Sequence, residues 1–367
     1  SPVNDLSKAG ARRDDDLNGA VAFAGEPWCR PVDKLAECGQ RRYGSTAGFC
    51  FAQGWSIWLV KRVPESGRVL ILADAGILMV IDAKSFRNPK SAFEIQCKVY
   101  CILGDERVFN SKSPEMFTAV FQRVGLKGVY VPFMTNLENV GEALASIRVL
   151  NIAGANITVP YKECVIPFLD VLSEGAKIIG AINTIAWEGD VLKGYNTNAI
   201  GFMDTLEEIE YPVPGKRALV FGSGGVARAV VFILNWLRAE SVYIAARNEN
   251  RAREMAERLG GEAISLEEAA AAPLDVDMVI NATSVSSKDE SPEFAALVEQ
   301  LDFSNCQLLI DLNYGREQNI WQHKAAAADI KFIDGLRTLA YQARRTFALW
   351  TGVQVEPNEF LAALHIS

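Results

Sequence analysis

Histidine is almost missing from this 367-residue chain: only His323 and His365 occur, in late polar or terminal segments. A proton-transfer group, if there is one, is expected to be lysine, a carboxylate, tyrosine or cysteine. There are seven cysteines but no Cys-x-x-Cys pair and no His/Cys cluster at zinc spacing, so no metal is expected. Cys97 and Cys101 lie four apart in a strand-like run and are expected to share a face as buried thiols of a reducing compartment. Long apolar runs are also lacking. The longest, residues 69–81, is interrupted by Asp74 and is too short to span a bilayer. The acidic, polar N-terminus reads as neither a secretory nor a transit leader, so a cytoplasmic protein is expected. Excess positive charge is missing too: the net charge of -8 argues against nucleic acid or an anionic membrane as partner.

What is present divides unevenly. Residues 1–90 show no sustained helical or strand period and read as an extension of uncertain order, with Met79 a candidate start of the globular part. From about residue 97 strands and helices alternate: strand at "CKVYCIL", helix at "SPEMFTAVFQRVG" with Ser113 as N-cap and Pro114 in first position, strand at "GVYVPF", helix at "NLENVGEALASIRVL", strand at "ANITVP". "NTIAWEGDVLKGYNT" reads as a hairpin about Glu188-Gly189-Asp190. A second alternating unit starts near 215 and ends in a helical tail placed to cross back onto the first. The fold class is therefore α/β in two domains: a substrate domain over 91–200 with a mostly parallel sheet, completed by 334–367, and a Rossmann-like domain over 201–333.

The loop "VFGSGGVARAVV" follows a strand and opens a helix. Its run Gly222, Ser223, Gly224, Gly225, Val226 and Ala227 suits a backbone that turns tightly against a pyrophosphate, with helix N–H groups aimed at the anion. The next strand ends in Ala246-Arg247, with Arg251 one turn on, where an NAD-selective site carries an acid. Two guanidinium groups favour a 2′-phosphate, so the expected cofactor is NADP.

In "NITVPYKE" a strand is expected to pass into a helix with Pro160 in its first turn and Lys162 near the N-terminus. The helix dipole opposes a cation there, which lowers its pKa and suits a proton shuttle. The plain alternative is an exposed lysine paired with Glu163 or another carboxylate.

The chain from Cys97 onward resembles the shikimate dehydrogenase (quinate/shikimate dehydrogenase) family through "NSKSPEMF", "NITVPYKE", "GAINTI", "GYNTNAIGF", "GSGGVARA", "INATSVS", "DLNY" and "DGLRTLAYQARRTFALWTG", in the family's order. The resemblance implies NADP-dependent interconversion of 3-dehydroshikimate and shikimate, or a related hydroxylated cyclic carboxylate, with Lys162 moving the proton. It matches Ser111 and Ser113 to serines that hold the substrate carboxylate. Thr158, Asn183 and Gln342 match contacts to carboxylate or ring hydroxyls, and Tyr314 matches a tyrosine near the carboxylate. Thr283 and Gly335 join the cofactor-binding set. A monomer or homodimer is expected.

The chain departs from the family in a few places. Asn198 stands where the family has the aspartate that partners the lysine; an amide carries no charge, so a lower Lys162 pKa is expected. Asn110 replaces a histidine, Ser286 a glycine in a loop expected near the nicotinamide, Arg316 a proline and Thr338 a methionine. A paralogue acting on another small acid, and a ligand sensor without catalysis, stay open as other readings.

Overall fold

The computed structural model describes residues 97–364, apart from 272 and 304, and four backbone strands between 47 and 82. Those strands are β1 (Ala47–Ala52), β2 (Trp55–Val63), β3 (Arg68–Ala73) and β4 (Leu78–Asp82). They pair antiparallel in sequence order as a separate unit. Their apolar residues come in runs rather than strict alternation, which is why no strand period shows in the sequence. Residues 1–46 and His365 lie outside the described residues.

The second unit begins with β5 (Lys98–Gly104), α1 (Ser113–Arg123), β6 (Gly128–Met134), α2 (Val140–Val149) and β7 (Gly154–Ile157). It continues through β8 (Val171–Leu172), α3 (Glu174–Ile179), β9 (Thr184–Glu188) and β10 (Val191–Tyr195). The sheet order is β6-β5-β7-β9-β10-β8. The strands β5, β6 and β7 run parallel, and β9–β10 is the expected hairpin, turning at Gly189 with φ 62°. Two local expectations change. Lys112, not Ser113, occupies the cap of α1; Ser111 Oγ accepts from the Ser113 N–H at 3.2 Å instead. Cys97 lies exposed before β5, whereas Cys101 is buried within it.

Helix α4 (Thr197–Glu208) leads to a six-stranded sheet that is parallel throughout. Its elements are β11 (Arg217–Phe221), α5 (Gly225–Trp236), β12 (Ser241–Ala245), α6 (Glu249–Leu259), β13 (Glu262–Ile264) and α7 (Leu266–Ala271). Then follow β14 (Met278–Asn281), α8 (Pro292–Gln300), β15 (Leu308–Asp311), α9 (Ile320–Ala327) and β16 (Lys331–Ile333). The order β13-β12-β11-β14-β15-β16 reverses direction between β11 and β14. A crevice at the carboxyl ends of such a pair is where open parallel sheets bind ligands.

The tail is α10 (Gly335–Thr351) and α11 (Pro357–Ala363). As the sequence suggested, α10 returns to the β5–β10 sheet and α1, burying Ala340, Ala343, Phe347 and Trp350 against Tyr100, Phe117, Phe121 and Tyr130. The Tyr100 ring stacks on Phe121 at 4.7 Å and on Trp350 at 4.9 Å. Gly154 makes room for the indole: a Cβ there would lie 2.3 Å from Trp350 Nε1. Gly201 does the same for the α4–α10 crossing, 2.7 Å from the Gln342 backbone nitrogen.

Candidate active site

A cavity of about 520 Å³ opens between the two sheets. Its lining includes every residue matched to substrate or proton transfer: Ser111, Ser113, Thr158, Lys162, Asn183, Asn198, Tyr314 and Gln342. From the expected cofactor set, Val226 and Gly335 line it; Gly222, Ser223, Gly224, Gly225, Ala227, Arg247, Arg251 and Thr283 do not.

The polar floor is built where α4, β9 and α10 meet. Asn183 is its hub. Its Oδ1 accepts from the Thr197 backbone N–H at 2.7 Å. Its Nδ2, with two hydrogens to give, lies within hydrogen-bond distance of three acceptors: Thr197 Oγ1 at 2.8 Å, Gln342 Oε1 at 3.0 Å and Asn198 Oδ1 at 3.1 Å. Thr184, Thr197 and Thr346 share hydroxyl contacts of 3.0–3.1 Å beneath it. Asn156, from β7, donates to the Asn183 carbonyl at 2.9 Å and accepts from the Tyr130 hydroxyl at 2.7 Å. Buried amides satisfied this fully are rigid, so the network holds the side chains above it in place. Asn196 caps α4 through the Ala199 N–H at 3.0 Å. Asn198 Nδ2 is buried and has no hydrogen-bond partner among the described residues.

Lys162 sits differently from expectation. Residues 160–165 form a series of turns after the cis Val159–Pro160 bond, followed by a short 3-10 turn at Ile166–Phe168. There is no α-helix of its own to depress its pKa. Burial does so instead, bringing the ammonium down to about 8. No carboxylate pairs with Lys162 among the described residues, and Glu163 turns away to Arg251 and, at 3.4 Å, to Arg228 Nε. The lysine stem packs on the nucleotide helix: a Cβ on Gly225 would lie 2.9 Å from Lys162 Cβ and 3.1 Å from Ala181 Cβ.

The other glycines of that loop have separate reasons. Gly222 adopts φ 116° and faces the Ala282 carbonyl, 2.9 Å from a built Cβ. Gly224 caps α5 and meets nothing within 4 Å, so the space in front of the free helix N–H groups is open. An anionic pyrophosphate fits there. Arg247 is exposed and makes no ion pair among the described residues, while Arg251 is held by Glu163. The two arginines expected to act together are therefore not equivalent. Thr283 folds back on its own loop, its hydroxyl donating to Asn281 Oδ1 at 2.7 Å and accepting from the Val285 N–H at 3.1 Å. Its neighbours Ser284 and Val285 face the cavity.

Burial raises the Tyr314 pKa, and interactions with the Lys112 backbone and the Ser111 side chain work against it. Arg316 donates to Glu290 Oε1 at 2.8 and 3.0 Å and to the Tyr314 carbonyl at 2.7 Å. Glu290 Oε2 accepts from the Ser286 and Ser287 backbone N–H groups, and these contacts hold its pKa down against burial. Arg316 thus ties the loops after β14 and β15 together. Ser286 is fully buried, its hydroxyl accepting from Asn313 Nδ2 at 2.9 Å, and it does not line the cavity. Thr338 does, and its hydroxyl pairs with Thr205 at 3.1 Å.

Arg107, Asn156 and Glu290 also line the cavity and were not singled out from the sequence. For Asn156 a signal existed, since an amide within an apolar strand must be satisfied or functional. Arg107 sits in a short 3-10 helix, Glu106–Asn110, and Glu290 in a turn, where no periodicity marks direction.

Residues 102–185 match the family model described as the shikimate dehydrogenase substrate binding domain, and residues 205–338 match that of shikimate / quinate 5-dehydrogenase. A shikimate dehydrogenase (NADP(+)) of Caldanaerobacter subterraneus subsp. tengcongensis is 36% identical over 264 residues, covering 70% of this chain and 92% of the relative. One from Geobacillus kaustophilus is 37% identical over 269 residues, covering 71% and 95%. Among solved structures, the Thermus thermophilus shikimate 5-dehydrogenase in complex with NADP(H) and shikimate has TM-score 0.64 and 34% identity over 73% of this chain and 98% of its own. The shikimate dehydrogenase of Aquifex aeolicus has TM-score 0.66 and 32% identity over 74% and 99%. With both family models matched in order and curated relatives covered almost end to end, the chain belongs to the shikimate dehydrogenase family.

Proposed function

We propose that the protein is an NADP-dependent oxidoreductase that interconverts a ring hydroxyl and ketone on a hydroxylated cyclic carboxylate, with shikimate and 3-dehydroshikimate the reference pair. The observation that carries this reading is the position of Lys162: without a carboxylate partner among the described residues, half-buried in the cleft and packed on Gly225 at the start of the nucleotide helix. The reading divides the chain into a substrate part over 91–200, completed by 334–367, and a nucleotide part over 201–333.

The dinucleotide would be held by the Gly222–Ala227 loop, by Arg247 at the 2′-phosphate, and by the backbone near Thr283 and Gly335. Bound there, it supplies the hydride acceptor or donor. Ser111, Ser113 and Tyr314 hold the substrate carboxylate. Thr158, Asn183 and Gln342 meet ring oxygens. In the oxidative direction the neutral Lys162 amine accepts the hydroxyl proton; in the reductive direction the ammonium returns it. A pKa of about 8 keeps both forms populated near neutral pH. The acidic net charge supports a protein without nucleic-acid or membrane partners, and we place it in the cytoplasm as a monomer or homodimer.

Purified protein with NADP+ and shikimate is expected to form NADPH. Lys162→Met is expected to lower kcat by about 10²–10⁴-fold while leaving shikimate binding measurable. Absence of NADPH formation with shikimate and related ring hydroxy acids would refute the reading.

A further inference from the structure

Lys162 stands on turns rather than on a helix, so contacts from outside those turns must set its direction. Its ammonium makes no hydrogen bond or ion pair among the described residues, and its carbonyl accepts from the Ile182 N–H at 2.8 Å. One backbone contact fixes a point, not a direction. The next side chain supplies more. Glu163 does not line the cavity. Its Oε1 accepts from Arg251 Nη2 on α6, and its Oε2 lies 3.4 Å from Arg228 Nε on α5. Arg228 needs that carboxylate. It is buried in the first turn of α5, where the helix dipole opposes a cation, and it makes no other ion pair among the described residues. A buried charge left without its counter-charge is strongly destabilising. One carboxylate thus serves both α5 and α6, while its backbone belongs to the turns that carry Lys162.

The Lys162 stem meets α5 as well, at Gly225, so the turn and the nucleotide helix touch through packing on one residue and charge on the next. Helix α6 has a second grip of its own. Arg258, about two turns on from Arg251, donates to the carbonyls of Lys177 at 2.6 Å and Ile178 at 3.0 Å, at the end of α3. Those partners lie outside the turns at residues 160–165, which makes Arg258 a control for general loosening between helices. We propose that Glu163 is a positioning residue: through Arg228 and Arg251 it holds the turns at residues 160–165 against α5 and α6, so that the Lys162 amine is presented to the reacting oxygen. The role at Lys162 rests on the function proposed above; the bridge itself does not.

The test uses the full chain. Amide hydrogen exchange is read without dinucleotide, and kcat for shikimate oxidation is read at saturating NADP+. The Val165, Ile166 and Ile182 N–H groups bond to the carbonyls of Tyr161, Glu163 and Lys162, so they report on the turns directly. Glu163→Ala is expected to speed their exchange about 10-fold. It is also expected to lower kcat about 10-fold or more, with KM for shikimate within about threefold. In Lys162→Met the same change is expected to lower the residual kcat no further, because no amine is left to aim. Arg258→Ala is expected to keep kcat within about threefold of the unsubstituted protein. Where the stranded Arg228 keeps Glu163→Ala from folding, the double variant Glu163→Ala/Arg228→Met removes both charges and is expected to show the same changes. Unchanged exchange, unchanged kcat, an equal further fall in Lys162→Met, or an equal fall in Arg258→Ala overturns the positioning role alone. Absence of oxidation by the unsubstituted protein, with shikimate and related ring hydroxy acids, overturns the functional reading and the role at Lys162 with it.

Discussion

Replacing Asn198 by aspartate puts a negative charge into the cavity that holds Lys162, and the size of the effect follows from Coulomb's law. Two unit charges in contact, about 4 Å apart, attract by ~1–4 kcal/mol between the dielectric of water and that of a protein surface. At 1.36 kcal/mol per unit this is roughly 0.7–3 pKa units. With the new carboxylate at that contact distance, the Lys162 ammonium, held at about 8 by burial, would titrate between about 9 and 11. Oxidation of the ring hydroxyl needs the neutral amine. The assay is therefore kcat/KM for NADP+-linked oxidation measured from pH 6 to 11. The unsubstituted protein is expected to gain rate with pH and level off above a pKa near 8; Asn198→Asp is expected to level off higher. At pH 7 the variant is the slower of the two in oxidation, yet at pH 10 the gap narrows. Superimposable limbs, or a flat profile between pH 7 and 9 in the unsubstituted protein, would refute Lys162 as the titrating group.

The same group affects stability. Its folded pKa lies below the unfolded value, so the cost of burying the ammonium is fully present below pH 8 and is relieved as pH rises toward 10.5. Lys162→Met is thus expected to raise stability by about 1–2 kcal/mol at pH 7, after discounting for the part of the chain open to the cleft, with no gain left near pH 11 in urea titrations. Arg247→Ala is expected to raise KM for NADP+ about 10–100-fold and to leave NAD+ nearly unchanged, as loss of a charged hydrogen bond to one phosphate requires; equal losses would remove the 2′-phosphate role. Glu163→Gln frees Arg251 and is expected to lower KM for NADP+ a few-fold; an equal effect on NAD+ would place its influence on the Lys162 loop instead. Gly154→Ala drives a methyl into the Trp350 indole and is expected to cost about 1–3 kcal/mol by thermal unfolding.

Local chemistry made much of this molecule legible. The glycines after β11, the turn at Gly189 and Gly260 at the end of α6 all announce themselves within a few residues, and the structure has an element boundary at each. What stayed hidden depends on contacts between distant segments. Glu163 meets Arg251 across 88 positions, so Arg251 looked free for phosphate. The pKa of Lys162 comes out in the expected direction for a different reason, because burial is a property of the packed cleft and the turns after Pro160 break the helix that the pattern suggested. Ser286 looked like a cofactor-loop change and is instead a hydroxyl sunk among Asn281, Asp311 and Asn313. The strands before residue 83 escaped because apolar runs without alternation suit several structures.

Gly225 belongs by sequence to the dinucleotide loop and by contact to Lys162, the lysine proposed to move the proton. A side chain as small as alanine's would here push on Lys162 Cβ and Cδ. On the proposed roles, a change at this one position touches the proton-moving lysine and the dinucleotide loop together. Gly225→Ala is expected to lose about 10-fold or more in kcat while NADP+ binding, read by calorimetry, stays within about threefold. A glycine counted as part of a cofactor fingerprint would then be retained for the sake of the acid–base group that rests on it.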